Sequence, residues 1–132
     1  MKIANTLFLA ALLALGLACG YSSHMSSPVA GTMPNIQVLN PDNANANTSF
    51  TLTITGTGFN SNAVVNFNGA HTPSAVTSSS ITVDIPNTSV MTAGTVQVSV
   101  TNPGTMGSGG GGYGGGGGTL PETSPNMPFT VN

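Results

Sequence analysis

The chain of 132 residues has almost no charge. Charged residues make up 3%, against about a quarter in an ordinary soluble domain. Lys2 is the only basic residue, and the acids are Asp42, Asp84 and Glu122. Nucleic-acid binding needs Lys and Arg to neutralise phosphates, and nothing past residue 2 supplies them. A basic membrane-surface patch is excluded for the same reason. With no cation for the acids to pair with, stability has to come from buried apolar surface and backbone hydrogen bonds. Trp is absent, and Cys occurs once. No stretch after residue 19 has helical periodicity. A parallel sheet needs crossover connections, usually helices, so it too is excluded.

What remains is 39% hydrophobic, interleaved with Thr, Ser, Asn and Gly. Thr favours strands, while Asn and Gly favour turns. Past Pro34 the apolar residues alternate with a period of two. "NIQVLN" places Ile36 and Val38 on one face; "FTLTIT" does so with Phe50, Leu52 and Ile54. "AVVNFNG" puts Val65 and Phe67 together and ends in Asn68-Gly69, a strong hairpin signal because both residues tolerate positive φ. The return strand "AHTPSAVT" carries Pro73, which confines it to an edge or a bulge. "SITVDIP" aligns Ile81, Val83 and Ile85, "GTVQVSVTN" aligns Val96, Val98 and Val100, and "PFTVN" adds Phe129 and Val131. About seven short strands separated by turn residues predict an all-β, antiparallel immunoglobulin-like β-sandwich.

Ahead of this body, "MKIANTLFLAALLALGLACG" opens with Lys2 and an apolar run from Leu7 to Ala18. A bilayer span needs about 20 apolar residues, so this run fits the core of a signal peptide over residues 1–18. "GLACG" resembles the lipobox of bacterial lipoproteins, which implies lipidation at Cys19. Gly16-x-Ala18 also fits ordinary signal peptidase, and both readings cut before Cys19. Residues 19–33 are then expected to be a flexible tether outside the core. The expected address is an exported, membrane-anchored lipoprotein of the bacterial envelope, or otherwise a periplasmic or secreted protein. Asn47-Thr48-Ser49 and Asn87-Thr88-Ser89 match the glycosylation sequon, but beside a bacterial lipobox they are expected to be turns.

The succession of strands and turns over residues 34–132 resembles the IPT/TIG domain. The residues that carry the resemblance are Pro34 and Ile36, Gly56-x-Gly58-Phe59 after a strand, the hairpin Val65 to Gly69, "SSSITVDIP", the Gly before "TVQVSVTN", and a final Phe-x-Val strand. The resemblance implies an immunoglobulin-like module without catalysis. Gly56-x-Gly58 is not a nucleotide loop, because a hairpin follows it and no Lys is near. The glycines let the chain turn after a strand, and Phe59 can fold back beneath the turn.

"GSGGGGYGGGGG", residues 107–118, is followed by too few residues for a second domain. It is read as an enlarged loop, 104–124, between two strands of one sheet, with 127–131 pairing antiparallel to 95–101. In an immunoglobulin-like sandwich this loop and "GTGFNSN" share one end. Tyr113, Phe59, Asn60 and Asn62 are therefore the candidate binding loop. Of the titratable residues, His24 falls in the tether, His71 just past the hairpin in an exposed position, Asp84 on a solvent face and Asp42 in a turn. They do not converge in sequence, so no catalytic residue, metal or cofactor is expected.

The function these readings support is a non-catalytic structural or adhesive module of the cell envelope. Its expected partners are envelope proteins or polysaccharide, with a membrane contact through the lipid on Cys19. The rivals are a carbohydrate-binding module and an accessory subunit of an envelope enzyme. Because so few groups titrate, stability is expected to change little between about pH 5 and 9. Urea midpoints measured across that range check this, and a marked loss starting near pH 6 would reveal a buried histidine.

Overall fold

Alternation of period two buries one side of each long strand, and two such sides close on each other. The structure, a computed structural model, describes residues 28–107 and 117–132. In chain order the strands are β1 (Asn35–Asn40), β2 (Asn43–Ala44), β3 (Phe50–Thr57), β4 (Val64–Asn66), β5 (Ala70–His71), β6 (Ala75–Val76) and β7 (Ser80–Ile85). A 3-10 turn at Asn87–Ser89 leads to β8 (Gly94–Asn102), β9 (Glu122–Thr123) and β10 (Met127–Val131). One sheet has the order β1-β3-β7-β6; the other has β2-β10-β8-β4-β5, with β9 also paired to β8. All named strand pairs are antiparallel except β2 with β10. The chain folds as the expected immunoglobulin-like β-sandwich.

The interior is a single apolar cluster. Leu52 and Ile54 from β3, Ile81, Val83 and Ile85 from β7, and Val98 and Val100 from β8 are all buried. At its lower end, where β3 and β8 begin, three phenylalanines meet. Phe50 stacks on Phe129 at 5.2 Å and 5°, and Phe67 meets Phe129 edge-on at 5.1 Å and 73°. These geometries suit the ring quadrupole and join both sheets.

Four expectations change. Strand β1 contains a bulge: Ile36 opposes Gly56 and Val38 opposes Thr55, so Gln37 is the extra residue. One added residue flips the alternation. Leu39 is therefore buried with Ile36, while Val38, expected inside, is 53% exposed. The return strand after the hairpin divides in two. Strand β5 pairs with β4 in one sheet and β6 with β7 in the other, and Pro73 lies in the crossing between them. With β2 and β9 added, the strands among the described residues number ten rather than about seven.

The third change concerns the glycine-rich loop. Strand β10 pairs antiparallel with Gly94–Val98 of β8, but the upper part of β8 pairs with β9 inside the expected loop. Between them the Ser124 N–H donates to the Val100 carbonyl at 2.8 Å, and the Ser124 hydroxyl accepts from the Val100 N–H at 3.0 Å. A side-chain oxygen thus takes the place of a backbone acceptor for the Val100 N–H and carries the ladder from β9 toward β10. The fourth is the tether boundary. Val29 pairs with Thr119, and Thr119 pairs with Thr105, so the segment from residue 28 already lies against the loop's base.

The mutual contact of Phe50, Phe67 and Phe129 predicts a large cost for removing Phe129, which stacks on one ring and meets the other edge-on. Phe129→Ala is expected to destabilise the fold by about 3–5 kcal/mol, read as a lowered urea midpoint. A loss under about 1 kcal/mol would mean the seam is held elsewhere.

Candidate functional site

The upper end gathers the loops around one buried amide. Asn102 follows Val96, Val98 and Val100 at the inward positions of β8, so the alternation carries a polar side chain into the interior. It is 2% exposed and fully bonded. Its Nδ2 donates to the Gly58 carbonyl at 2.7 Å and the Thr32 carbonyl at 2.8 Å, and its Oδ1 accepts from the Asn60 N–H at 3.0 Å. One side chain thereby fastens the segment before β1, the turn after β3 and the end of β8.

The turn after β3 needs both its glycines. A Cβ on Gly56 would collide with the Asn35 carbonyl and lie 2.7 Å from the Phe59 ring. Gly58 has φ of 74°, which a side chain resists. Phe59 folds under this turn and is 4% exposed. That burial is the core-plug position, and it removes Phe59 from the exposed members of the candidate binding loop. Asn60 is half-buried, held by Asn102, and Asn62 is exposed. Tyr113, Cys19 and His24 lie outside the described residues.

Beside this turn, a short ribbon is formed by three segments. The Val29 N–H donates to the Gly118 carbonyl and the Leu120 N–H to the Val29 carbonyl, both at 2.9 Å. Thr105 and Thr119 bond through their backbones and through their hydroxyls at 2.9 Å. The two loops expected to share an end do so, and the segment leading into β1 joins them.

The lower end holds His71 and Asp84, while half-buried Glu122 pairs with Asn102 at the upper end. His71, expected to be exposed, is half-buried, because the chain leaving β5 turns at once toward the other sheet. Its Nε2 is 2.9 Å from the Phe67 carbonyl and 3.4 Å from the Ser89 hydroxyl. A carbonyl only accepts, so Nε2 carries the proton. The Ser89–His71 pair therefore lacks the arrangement of nucleophile and base, in which that nitrogen would have to accept. Asn68 Nδ2 donates to the Ser89 carbonyl at 2.8 Å and pins the hairpin to the 3-10 turn. Asp84 is exposed, as expected, and accepts from the Thr51 hydroxyl at 2.7 Å. His71, Asp84, Thr51 and Phe50 line one cleft of about 560 Å³. The sequence kept these residues apart; the turn between the sheets brings them together. Asp42, also exposed, accepts from Asn43 Nδ2 at 2.7 Å and stays outside the cleft.

The Asn102 network gives a direct test. Asn102→Ala leaves two carbonyls and one N–H without their partner, each worth about 1–3 kcal/mol if it stays dry. A net loss of about 2–4 kcal/mol is expected. Hydrogen exchange at the Asn60 amide should rise well before that of the β3 amides.

No curated protein and no solved structure matches the chain. The IPT/TIG domain is an immunoglobulin-like, non-catalytic module used in protein interactions. Its sequence model matches residues 34–115, covering β1 to β8 with the loop anchored by Asn102. The chain belongs to the IPT/TIG domain family.

Proposed function

We propose that the chain is an exported, lipid-anchored interaction module of the bacterial cell envelope, which binds a partner protein at its upper end and catalyses nothing. The observation that carries the binding is the Asn102 network. It holds three separate segments as one preformed surface, and a preformed surface binds without the entropy cost of ordering its loops. The neutral Asn and Thr side chains there, Asn62 and Thr105 among them, suit hydrogen bonding to protein backbone. Family membership supports the interaction role, and the apolar run from Leu7 to Ala18 followed by Cys19 supports the address. The proposed parts are a signal peptide over 1–18, lipidation at Cys19, and a tether running to about residue 27.

The test has two arms. Mass spectrometry of the native protein is expected to show Cys19 as a lipid-modified N-terminus; an N-terminus without lipid overturns the anchor. A photo-crosslinking residue at Asn62 is expected to capture one envelope protein in cells. Asn102→Ala should abolish that capture, because the surface loosens while the fold persists. Capture unaffected by Asn102→Ala, or retention of the chain on polysaccharide alone, overturns the proposed upper-end surface.

A further inference from the structure

The turn between β4 and β5 contains a reactive pair. Of the chain's asparagines, only Asn68 is followed by glycine. The amide carbon of an Asn side chain and the next residue's peptide nitrogen can close a five-membered ring. A following residue without Cβ leaves that approach unobstructed. Asparagine is accordingly one of the thermolabile residue types.

The fold leaves this pair accessible. Asn68 and Gly69 are both exposed. The Gly69 N–H donates to no backbone carbonyl among the described residues. Nothing lies within 4 Å of where a Cβ on Gly69 would sit, so the space on that side is open. Three hydrogen bonds hold the turn closed: Phe67 N–H to the Gly69 carbonyl at 2.8 Å, His71 Nε2 to the Phe67 carbonyl at 2.9 Å, and Asn68 Nδ2 to the Ser89 carbonyl at 2.8 Å. Strand β5 is two residues long, stands last in its sheet, and pairs with β4 only at Ala70 and His71. Elements with so few contacts open locally at low cost while the core stays folded.

The side chain's own bond gives the chemistry a consequence. Asn68 Nδ2 fastens the hairpin to the 3-10 turn at Ser89. An ionised carboxylate only accepts, so a carboxylate at this place would face the Ser89 carbonyl as acceptor against acceptor. No Lys or Arg among the described residues could offset its charge.

We propose that Asn68 is a self-modification site, whose conversion to aspartate or isoaspartate unfastens the β4–β5 hairpin from the 3-10 turn. The Gly69 nitrogen loses its proton and bonds to Asn68 Cγ. The Cγ–Nδ2 bond breaks, and Nδ2 takes up a proton and leaves as ammonia, closing a succinimide ring. Water then adds to one of the two ring carbonyls. Opening at Cγ gives aspartate; opening at the main-chain carbonyl gives isoaspartate, with the backbone rerouted through the side chain. Overall, water replaces ammonia, and nothing is oxidised or reduced. The proposal is independent of the upper-end surface.

The experiment ages the folded full chain in neutral detergent at several pH values. Its peptides are then mapped by mass spectrometry with fragmentation that separates isoaspartate from aspartate. Conversion at Asn68 is expected to outpace that at Asn60 and Asn62, to yield both products, and to rise about tenfold per pH unit, because the attacking nitrogen must first lose its proton. Asn68→Gln would need a six-membered ring and is expected to show no conversion. Aspartate without isoaspartate, equal conversion at Asn60 and Asn62, or conversion only after unfolding in urea would each overturn the proposal. The consequence is read on Asn68→Asp by hydrogen exchange. The Ser89 and Val90 amides, which donate within the 3-10 turn, should exchange faster, while the β3 amides stay as slow as before and show that the variant folds. Unchanged exchange at Ser89 and Val90 would overturn the unfastening.

Discussion

Everything in this domain depends on the dry seam between its two sheets. With 3% charged residues, and no Lys or Arg among the described residues to form ion pairs, the apolar faces must meet without gaps. The same scarcity governs which polar groups enter the interior. The buried ones are Ser89, Ser99, Asn102 and Ser124, all neutral. A neutral amide or hydroxyl costs far less to desolvate than a charge, provided it is hydrogen-bonded. Here none of the described buried side-chain polar atoms lacks a partner. Ser99 accepts from Asn66, Ser124 completes the ladder beside Val100, and Asn102 holds the upper loops. The interior's few polar residues serve as fasteners.

This explains which parts of the fold could be read from the sequence. Strands β3, β7 and β8 are long, and their alternation is set by the need to bury one face, so the residue pattern reveals them. The short strands follow from other causes. Strands β5 and β6 have two residues each, and which sheet each joins depends on where the chain crosses, not on its own pattern. Val38 was misplaced because a single bulged residue reverses the alternation, and nothing in "NIQVLN" marks Gln37 as extra. Asn102 was legible in principle: it continues the inward series Val96, Val98, Val100, and an Asn there must find partners. His71 was not, because its neighbours Phe67 and Ser89 come together only through the hairpin and the 3-10 turn.

The glycine-rich region shows how local pairing changes the meaning of a long loop. Read as 104–124 it is a free excursion between two strands. The Thr105–Thr119 pair and β9 close it from below, and the segment from Val29 closes it from the side. Closure entropy depends on the logarithm of loop length, at about 0.6 kcal/mol per doubling, so trimming both ends makes a small energetic difference. The structural difference is larger, since the base becomes part of the upper end. The family match stops at 115, yet β10 beyond it supplies Phe129 to the aromatic contact. The folded unit therefore extends past the matched segment to the last strand.

The two ends of the sandwich are thus different in kind. The upper end receives the chain at residue 28, carries the loops, and presents Asn and Thr groups beside the half-buried carboxylate of Glu122. A highly charged protein would hide one carboxylate in a crowd of others. On a chain with three acids, Asp84 is the carboxylate that lines the lower cleft. Low charge in this setting does not mean weak electrostatics. It means that the field at the cleft is set by one oriented carboxylate, held by Thr51.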